Sequence, residues 1–142
     1  MRTASALLAL LLTLLVTGCG GADEKRAREP GTVTCGGTPL EQEPDLPAGF
    51  PKPAATTYLS AERRGPTTVV DGFLAGELGD AYEAYREAFE SAGYSILFDE
   101  LEAADAEISY RDPARSTSGQ VALRERCVEA GRVAVHITAR PA

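Results

Sequence analysis

The sequence predicts an α+β fold in two layers, with one amphipathic helix packed on a mainly antiparallel sheet of about five to six strands. Three observations support this fold class. One segment places apolar residues at helical spacing, several short segments alternate apolar and polar residues, and turn residues separate these segments. A chain of 142 residues has room for one such domain, which we expect at residues 54–142.

The predicted domain begins with a β-hairpin. Residues 57–61 and 67–74 are rich in Thr, Val and Tyr and are separated by a turn that contains Gly65. The proline-rich residues before the hairpin, 38–53, predict an extended lead-in. We expect Phe50 of this lead-in to pack against the domain, and a docking peptide for a partner protein is the alternative.

The helix is predicted near Asp80, which can cap the N-terminus with Glu83 at capping-box spacing. Gly93 supplies the left-handed residue with which helices often end. The apolar stripe of this helix consists of Leu78, Tyr82, Tyr85, Phe89 and Ala92. Because such a stripe must be covered, we expect it to pack on the inward face of the sheet.

Four later segments alternate and predict an antiparallel meander. Their expected inward residues are Tyr94, Ile96 and Phe98; Ala106, Ile108 and Tyr110; Val121, Leu123 and Cys127; and Val133, Val135, Ile137 and Ala139. Asp112 and Pro113 interrupt the pattern before a polar loop, and Gly131 marks a turn before the last strand.

The N-terminal residues 1–18 predict a targeting signal. A single basic residue, Arg2, precedes a mostly apolar core of ten residues, 7–16. This core is too short to span a bilayer, which needs about 20 residues, and it has the size of a secretory signal.

Val16, Thr17, Gly18 and Cys19 follow this core and resemble the bacterial lipobox. The resemblance implies that Cys19 carries diacylglycerol and that the chain is cleaved before it. Residues 19–53 would then form the lipidated cysteine, a flexible polar tether and the lead-in, and the acyl anchor would hold the protein on the extracytoplasmic side of the cell membrane. An ordinary secretory signal with an accidental cysteine is the alternative.

The two remaining cysteines, Cys35 and Cys127, predict a structural disulfide, because exported compartments are oxidising. A redox pair would normally have Cys-x-x-Cys spacing. A metal site is poorly supported by two thiols and the one distant histidine, His136.

Charge limits the classes of partner. The net charge of −7 argues against nucleic acid, whose phosphates need a basic surface. The charge is also unevenly distributed, because residues 77–107 contain ten acids and one base, whereas residues 108–142 contain six arginines and three acids.

Strand alternation places several polar residues on the outward face of the sheet, which predicts a binding face for an envelope protein or a small anionic ligand. These residues are Arg124, Arg126, His136, Thr138 and Arg140. The alternative is a solvated face whose arginines pair across strands with Glu107 or Glu125.

The sequence contains no Gly-x-Ser-x-Gly, His-Glu-x-x-His or Ser-x-x-Lys motif and no glycine loop for phosphate, and we expect His136 on an open face without a cleft. We therefore expect a non-catalytic binding or accessory module with no metal and no cofactor. A structural component of an envelope complex is the alternative. A small hydrolase is a third hypothesis, which a concave pocket holding His136 beside a carboxylate and a hydroxyl would favour.

The order of elements adds a second resemblance. A proline-rich lead-in, a strand pair, a helix and further strands occur in this sequence in the same order as in small lipoproteins of high-G+C Gram-positive bacteria. The residues that carry this resemblance are Ala92, Gly93 and Tyr94, and Ala106, Glu107, Ile108 and Ser109. It implies an envelope location and no known activity.

Overall fold

The computed structural model describes residues 31–142, so the predicted signal and the lipidation site at Cys19 lie outside the described residues. Within these residues, six strands form one antiparallel sheet in the order β1-β2-β6-β5-β4-β3, and one helix packs on it. This confirms the predicted two-layer α+β fold. The elements are β1 (Thr56–Arg64), β2 (Thr67–Ala75), α1 (Leu78–Ser91), β3 (Ser95–Leu101), β4 (Asp105–Asp112), β5 (Thr117–Arg124) and β6 (Arg132–Pro141).

The sheet combines the predicted hairpin with the predicted meander. Strands β3, β4 and β5 each pair with the next strand along the chain, and β6 also pairs with β2, which places Val70 opposite Ile137. Helix α1 connects β2 to β3, at the far edge of the sheet. Within residues 31–142, no helix has both the length and the apolar character needed to cross a membrane.

The core lies between α1 and the inner face of the sheet. From the helix, Leu78, Ala81, Tyr85 and Phe89 are buried. The strands contribute alternating side chains, as the sequence predicts. The buried strand residues of the core are Tyr58, Val70, Leu74, Ala106, Ile108, Tyr110, Val121, Leu123, Val133, Val135 and Ile137.

An aromatic cluster joins the helix, the sheet and the lead-in. Phe89 stacks on Tyr110 with ring centroids 4.6 Å apart, and Tyr94 meets Tyr110 edge-on at 5.6 Å. Phe50 lies edge-on to both Phe89 and Tyr110, at 5.6 Å from each. The predicted packing of Phe50 against the domain is therefore confirmed, and Leu46 of the lead-in also packs against the core.

Gly119 makes room for a long-range hydrogen bond across the sheet. The hydroxyl of Tyr110 donates to the carbonyl oxygen of Thr138 at 2.8 Å. A Cβ atom on Gly119 would lie 1.8 Å from that oxygen and 2.5 Å from the hydroxyl. Burial raises the pKa of Tyr110, so this hydroxyl remains a donor at neutral pH.

The predicted capping box at Asp80 and Glu83 is wrong. Helix α1 begins at Leu78, and its N-cap is Glu77, which makes no side-chain capping hydrogen bond. Burial of Leu78 extends the helix toward its N-terminus and leaves Asp80 within the first turn, where its charge favours the helix dipole.

The predicted alternation of Tyr94, Ile96 and Phe98 is also wrong. An irregularity between Ile96 and Phe98 inserts Leu97 as an unpaired residue, so Phe98 pairs with Ser109 on the outer face of the sheet. Asp99 consequently lies on the helix face of the sheet. There it accepts a hydrogen bond from the Tyr82 hydroxyl at 2.6 Å and forms an ion pair with Arg86.

The predicted disulfide between Cys35 and Cys127 is confirmed. Cys127, however, is not an inward strand residue, because β5 ends at Arg124. A parallel β-bridge between Val33 and Cys127 lies next to the disulfide. In this bridge the Val33 N–H donates to the Arg126 carbonyl at 2.8 Å, and the Val33 carbonyl accepts from the Val128 N–H at 3.0 Å.

Replacing both Cys35 and Cys127 with Ser should lower the free energy of unfolding by about 2–4 kcal/mol, because the disulfide closes a loop across a sequence separation of 92. Urea denaturation of the protein measures this change. Reductant should destabilise the unmodified protein by a similar amount and leave the double variant unaffected. A double variant as stable as the oxidised protein would contradict the prediction.

The Gly119→Ala substitution should destabilise the protein by about 1–3 kcal/mol, because the added methyl group displaces Tyr110 or the Thr138 carbonyl. Gly79→Ala in the first turn of α1 is the matched control, since a Cβ atom there meets nothing within 4 Å. This second variant should gain about 0.4–1 kcal/mol. Thermal or urea denaturation compares the two, and equal effects would contradict the expected difference.

Candidate functional site: a cleft on the outer face of the sheet

The residues of the predicted binding face lie on the outer face of the sheet or directly beside it. Cross-strand pairing puts His136 between Asp71 and Ala122, and Arg124 opposite Ala134. Arg126 follows two residues after the end of β5. The structure divides the predicted set of five into two groups, because only Arg124, Arg126 and His136 line a common cleft.

The cleft has a volume of about 330 Å³ and opens on the outer face of the sheet. Its lining residues are Val33, Thr34, Cys35, Leu59, Asp71, Gly72, Arg124, Arg126, Ala134, Val135 and His136. The expectation that His136 lies on an open face without a cleft is therefore wrong. The reason is the segment 33–35, which forms one side of the cleft.

Several contacts beyond the disulfide hold this segment in place. The Cys35 N–H donates to the Glu129 carboxylate at 2.8 Å, and the Arg132 guanidinium donates to the Cys35 carbonyl at the same distance. Cys35 is almost fully buried, at 2% exposure. The cleft wall is thus attached to the connection between β5 and β6 by a covalent bond, a short β-bridge and one side-chain hydrogen bond, and to the start of β6 by a second side-chain hydrogen bond.

Thr138 and Arg140 lie outside the cleft. The Thr138 hydroxyl accepts a hydrogen bond from the Gln120 N–H at 3.2 Å, so it is part of the contact between β5 and β6. Arg140 is exposed and lines a separate depression together with Arg63 and Asp45. These two residues share the face with His136 but do not contribute to the same site.

The arginines of the cleft are paired with acids from β4. Arg124 donates to Asp105 at 2.8 Å and to Glu107 at 3.1 Å, while Arg126 donates to Asp105 at 3.2 Å. This confirms the expected cross-strand pairing with Glu107 and adds Asp105 as a shared partner. Two carboxylates thus balance two guanidinium groups, so these residues give the cleft no large positive potential, and each guanidinium keeps N–H groups that the two acids do not use.

His136 is oriented by a carboxylate on the neighbouring strand. Its Nδ1 lies 2.7 Å from Asp71 Oδ1, and both side chains are about half exposed. Because an ionised carboxylate can only accept, Nδ1 donates this hydrogen bond, and Asp71 fixes the orientation of the ring. The pair therefore places an imidazole ring and a carboxylate side by side at the cleft.

Two important cleft residues were not predicted from the sequence. Asp71 alternates outward between Val70 and Gly72, a signal that was present, but its partner His136 is 65 residues away along the chain. Leu59 lies at the register shift between Tyr58 and Ser60 in β1, and a bulge of this kind has no clear sequence signature.

Within the part of the chain that the structure describes, no group of three or more His, Cys, Asp or Glu residues is arranged to hold a metal ion. No protein-family model, curated protein or solved structure matched the chain. The geometry of the cleft is consequently the main basis for a functional proposal.

The Arg124–Asp105 pair should show a coupling energy of about 1 kcal/mol in a double-mutant cycle with alanine, because both side chains are 30% exposed and belong to a network. The exposed pair Arg63–Asp45 is the control and should couple by less than about 0.5 kcal/mol. Urea denaturation of the single and double variants gives both values. Equal coupling in the two pairs would contradict the expected contribution of the network.

Proposed function

We propose that this chain is a lipid-anchored protein of the bacterial cell envelope, held on the extracytoplasmic side of the cell membrane through Cys19. Its folded domain acts as a non-catalytic binding module, and the outer-face cleft is its binding site. The cleft itself is the observation that carries the proposal, because it is concave, mostly apolar and bordered by a few directed polar groups.

Two features support the envelope location. The lipobox-like residues end at Cys19, and the disulfide between Cys35 and Cys127 is typical of oxidising, exported compartments. Thirteen residues separate Cys19 from Val33, which lines the cleft. A fully extended chain of this length reaches at most about 45 Å, so the anchor would keep the cleft close to the membrane surface.

The lining of the cleft indicates the chemistry of the ligand. Val33, Leu59 and Ala134 provide apolar surface, whereas the guanidinium groups of Arg124 and Arg126 provide hydrogen-bond donors. This combination suits a small molecule with an apolar body and a head group that accepts hydrogen bonds, such as a carboxylate. The paired acids Asp105 and Glu107 reduce the attraction for a highly charged anion.

Hydrolysis is a second candidate function, and one specific observation favours it. His136 lies in a cleft beside the Asp71 carboxylate, and the hydroxyl-bearing Thr34 lines the same cleft. In this arrangement Asp71 would orient the ring and His136 would act as a general base. Binding is the first proposal because His136 and Asp71 are both about half exposed to water. Water screens the charge of Asp71, so the carboxylate supports a general base less than it would in a buried pair.

Hexanoate is a suitable probe of the cleft, because it combines a short apolar chain with a carboxylate. Saturation-transfer NMR should detect its binding to the protein, and Ala134→Leu, which fills the cleft, should weaken binding at least tenfold. Ser118→Leu is the matched control, since Ser118 lies on the same face outside the cleft and should leave binding unchanged. No binding, or equal binding by both variants, would contradict the proposal.

The 4-nitrophenyl ester of hexanoate distinguishes the two functions in the same assay. We expect no more nitrophenol release from the protein than from its His136→Gln variant. Release that depends on His136 would favour the hydrolase.

The anchor is tested independently in a bacterial host supplied with a labelled fatty acid. The protein should incorporate the label and be recovered with membranes, and Cys19→Ser should abolish both properties, because the thiol is the proposed attachment point. Cys127→Ser is the control for loss of a cysteine and should still be labelled. Label that persists in the Cys19→Ser variant would contradict the proposed anchor.

A further inference from the structure

The edge strand β3 carries an apolar surface that the core does not use. Leu97, Phe98 and Leu101 are 58%, 52% and 48% exposed. Among the described residues 31–142, β3 is the last strand in the sheet order and pairs with β4 alone, so no strand from this part of the chain lies beside the backbone groups of its other edge. An exposed edge with large apolar side chains is a template for strand pairing.

The opposite edge of the sheet is protected, which makes β3 unusual by comparison. At β1, the N–H of Leu40 from the lead-in donates to the Tyr58 carbonyl at 2.9 Å. The remainder of β1 carries Arg63 and Arg64, and basic residues on an edge hinder further pairing. The sequence of β3, SILFDEL, contains neither a basic residue nor a proline, and its bulge and its acids Asp99 and Glu100 restrict pairing to a strand of complementary charge.

The charges along β3 indicate what kind of segment could pair with it. Glu100 lies directly opposite Glu107 across the ladder, and like charges in this position are unfavourable. The arginines at this end of the sheet, Arg124 and Arg126, are paired with Asp105 and Glu107. Within residues 31–142, Glu100 and its neighbour Glu102 form no ion pair.

We propose that β3 is a docking edge for an extended, basic segment of another protein, which adds to the sheet as a seventh strand. The bulge at Leu97 puts Phe98 and Glu100 on the outer face, with Asp99 and Leu101 on the helix face. The partner strand would place an apolar side chain beside Phe98, a Lys or Arg beside Glu100, and a second apolar side chain beside Leu101.

A second copy of this chain fits this edge poorly. Pairing β3 with β3 of a second copy would bring the acids Asp99, Glu100 and Glu102 of both copies together. Their like charges would repel each other across the new strand pair. Pairing β3 with β1 of another copy would require displacement of Leu40 from the Tyr58 carbonyl. A partner with cationic and apolar residues satisfies the charges, the backbone groups and the exposed side chains at the same time.

The probe is the capped peptide Thr-Val-Thr-Lys-Val-Thr together with its reversed sequence, because a strand can be added in either direction. Fluorescence anisotropy with the detergent-solubilised full-length protein should detect binding of at least one of them. The same peptide with Glu in place of Lys should bind at least tenfold more weakly. Hydrogen exchange should show new protection in residues 95–101.

Two variants separate strand addition from general attraction between a basic peptide and an acidic protein. Glu100→Lys should reverse the preference between the two peptides, so that the Glu peptide binds better than the Lys peptide. Glu87→Lys changes the net charge equally at an exposed position on α1 and should retain the original preference. N-methylation of alternate peptide bonds should abolish binding, because it removes backbone donors.

The proposal is overturned if neither peptide binds at millimolar concentration, if N-methylation has no effect, or if Glu87→Lys changes the preference as Glu100→Lys does. Protection confined to the cleft residues 134–136 would also overturn it. The outcome is independent of hexanoate binding, because β3 does not line the cleft.

Discussion

The stacking of Phe89 on Tyr110 is the contact on which the two layers depend. Phe89 is the last buried residue of α1, and Tyr110 is a fully buried residue near the end of β4. The Tyr110 hydroxyl reaches across Gly119 to the backbone of β6, so the same ring joins the helix to the centre of the sheet. A single helix cannot cover six strands, and Phe50 and Leu46 of the lead-in add to the core as further cover.

The two faces of the sheet are organised by different interactions. The inner face excludes water through alternating apolar side chains, whereas the outer face contains charged residues that are paired with one another, including Arg124 with Asp105 and His136 with Asp71. The disulfide to Cys35 places an additional short segment on this outer face. That segment converts part of a polar surface into a cleft, and the proposed binding function depends on this conversion.

The parts of the fold that follow from local periodicity could be predicted. The hairpin, the helix and the meander have strong alternation or helical spacing, and short turns leave little freedom in how neighbouring strands pair. The prediction failed where a tertiary contact outweighed a local pattern. Burial of Leu78 extended the helix past the expected cap at Asp80, and the extra residue Leu97 moved Phe98 to the opposite face.

The candidate site was predictable only in part. The sequence by itself determined which side of β4, β5 and β6 faces water, because successive side chains alternate, and it indicated the pairing of Cys35 with Cys127 because only these two cysteines follow Cys19. Tertiary structure decided that Asp71 meets His136, that Thr138 and Arg140 lie outside the cleft, and that segment 33–35 forms its wall. These features depend on the pairing of β2 with β6 and on contacts between residues more than sixty positions apart, which local side-chain patterns do not encode.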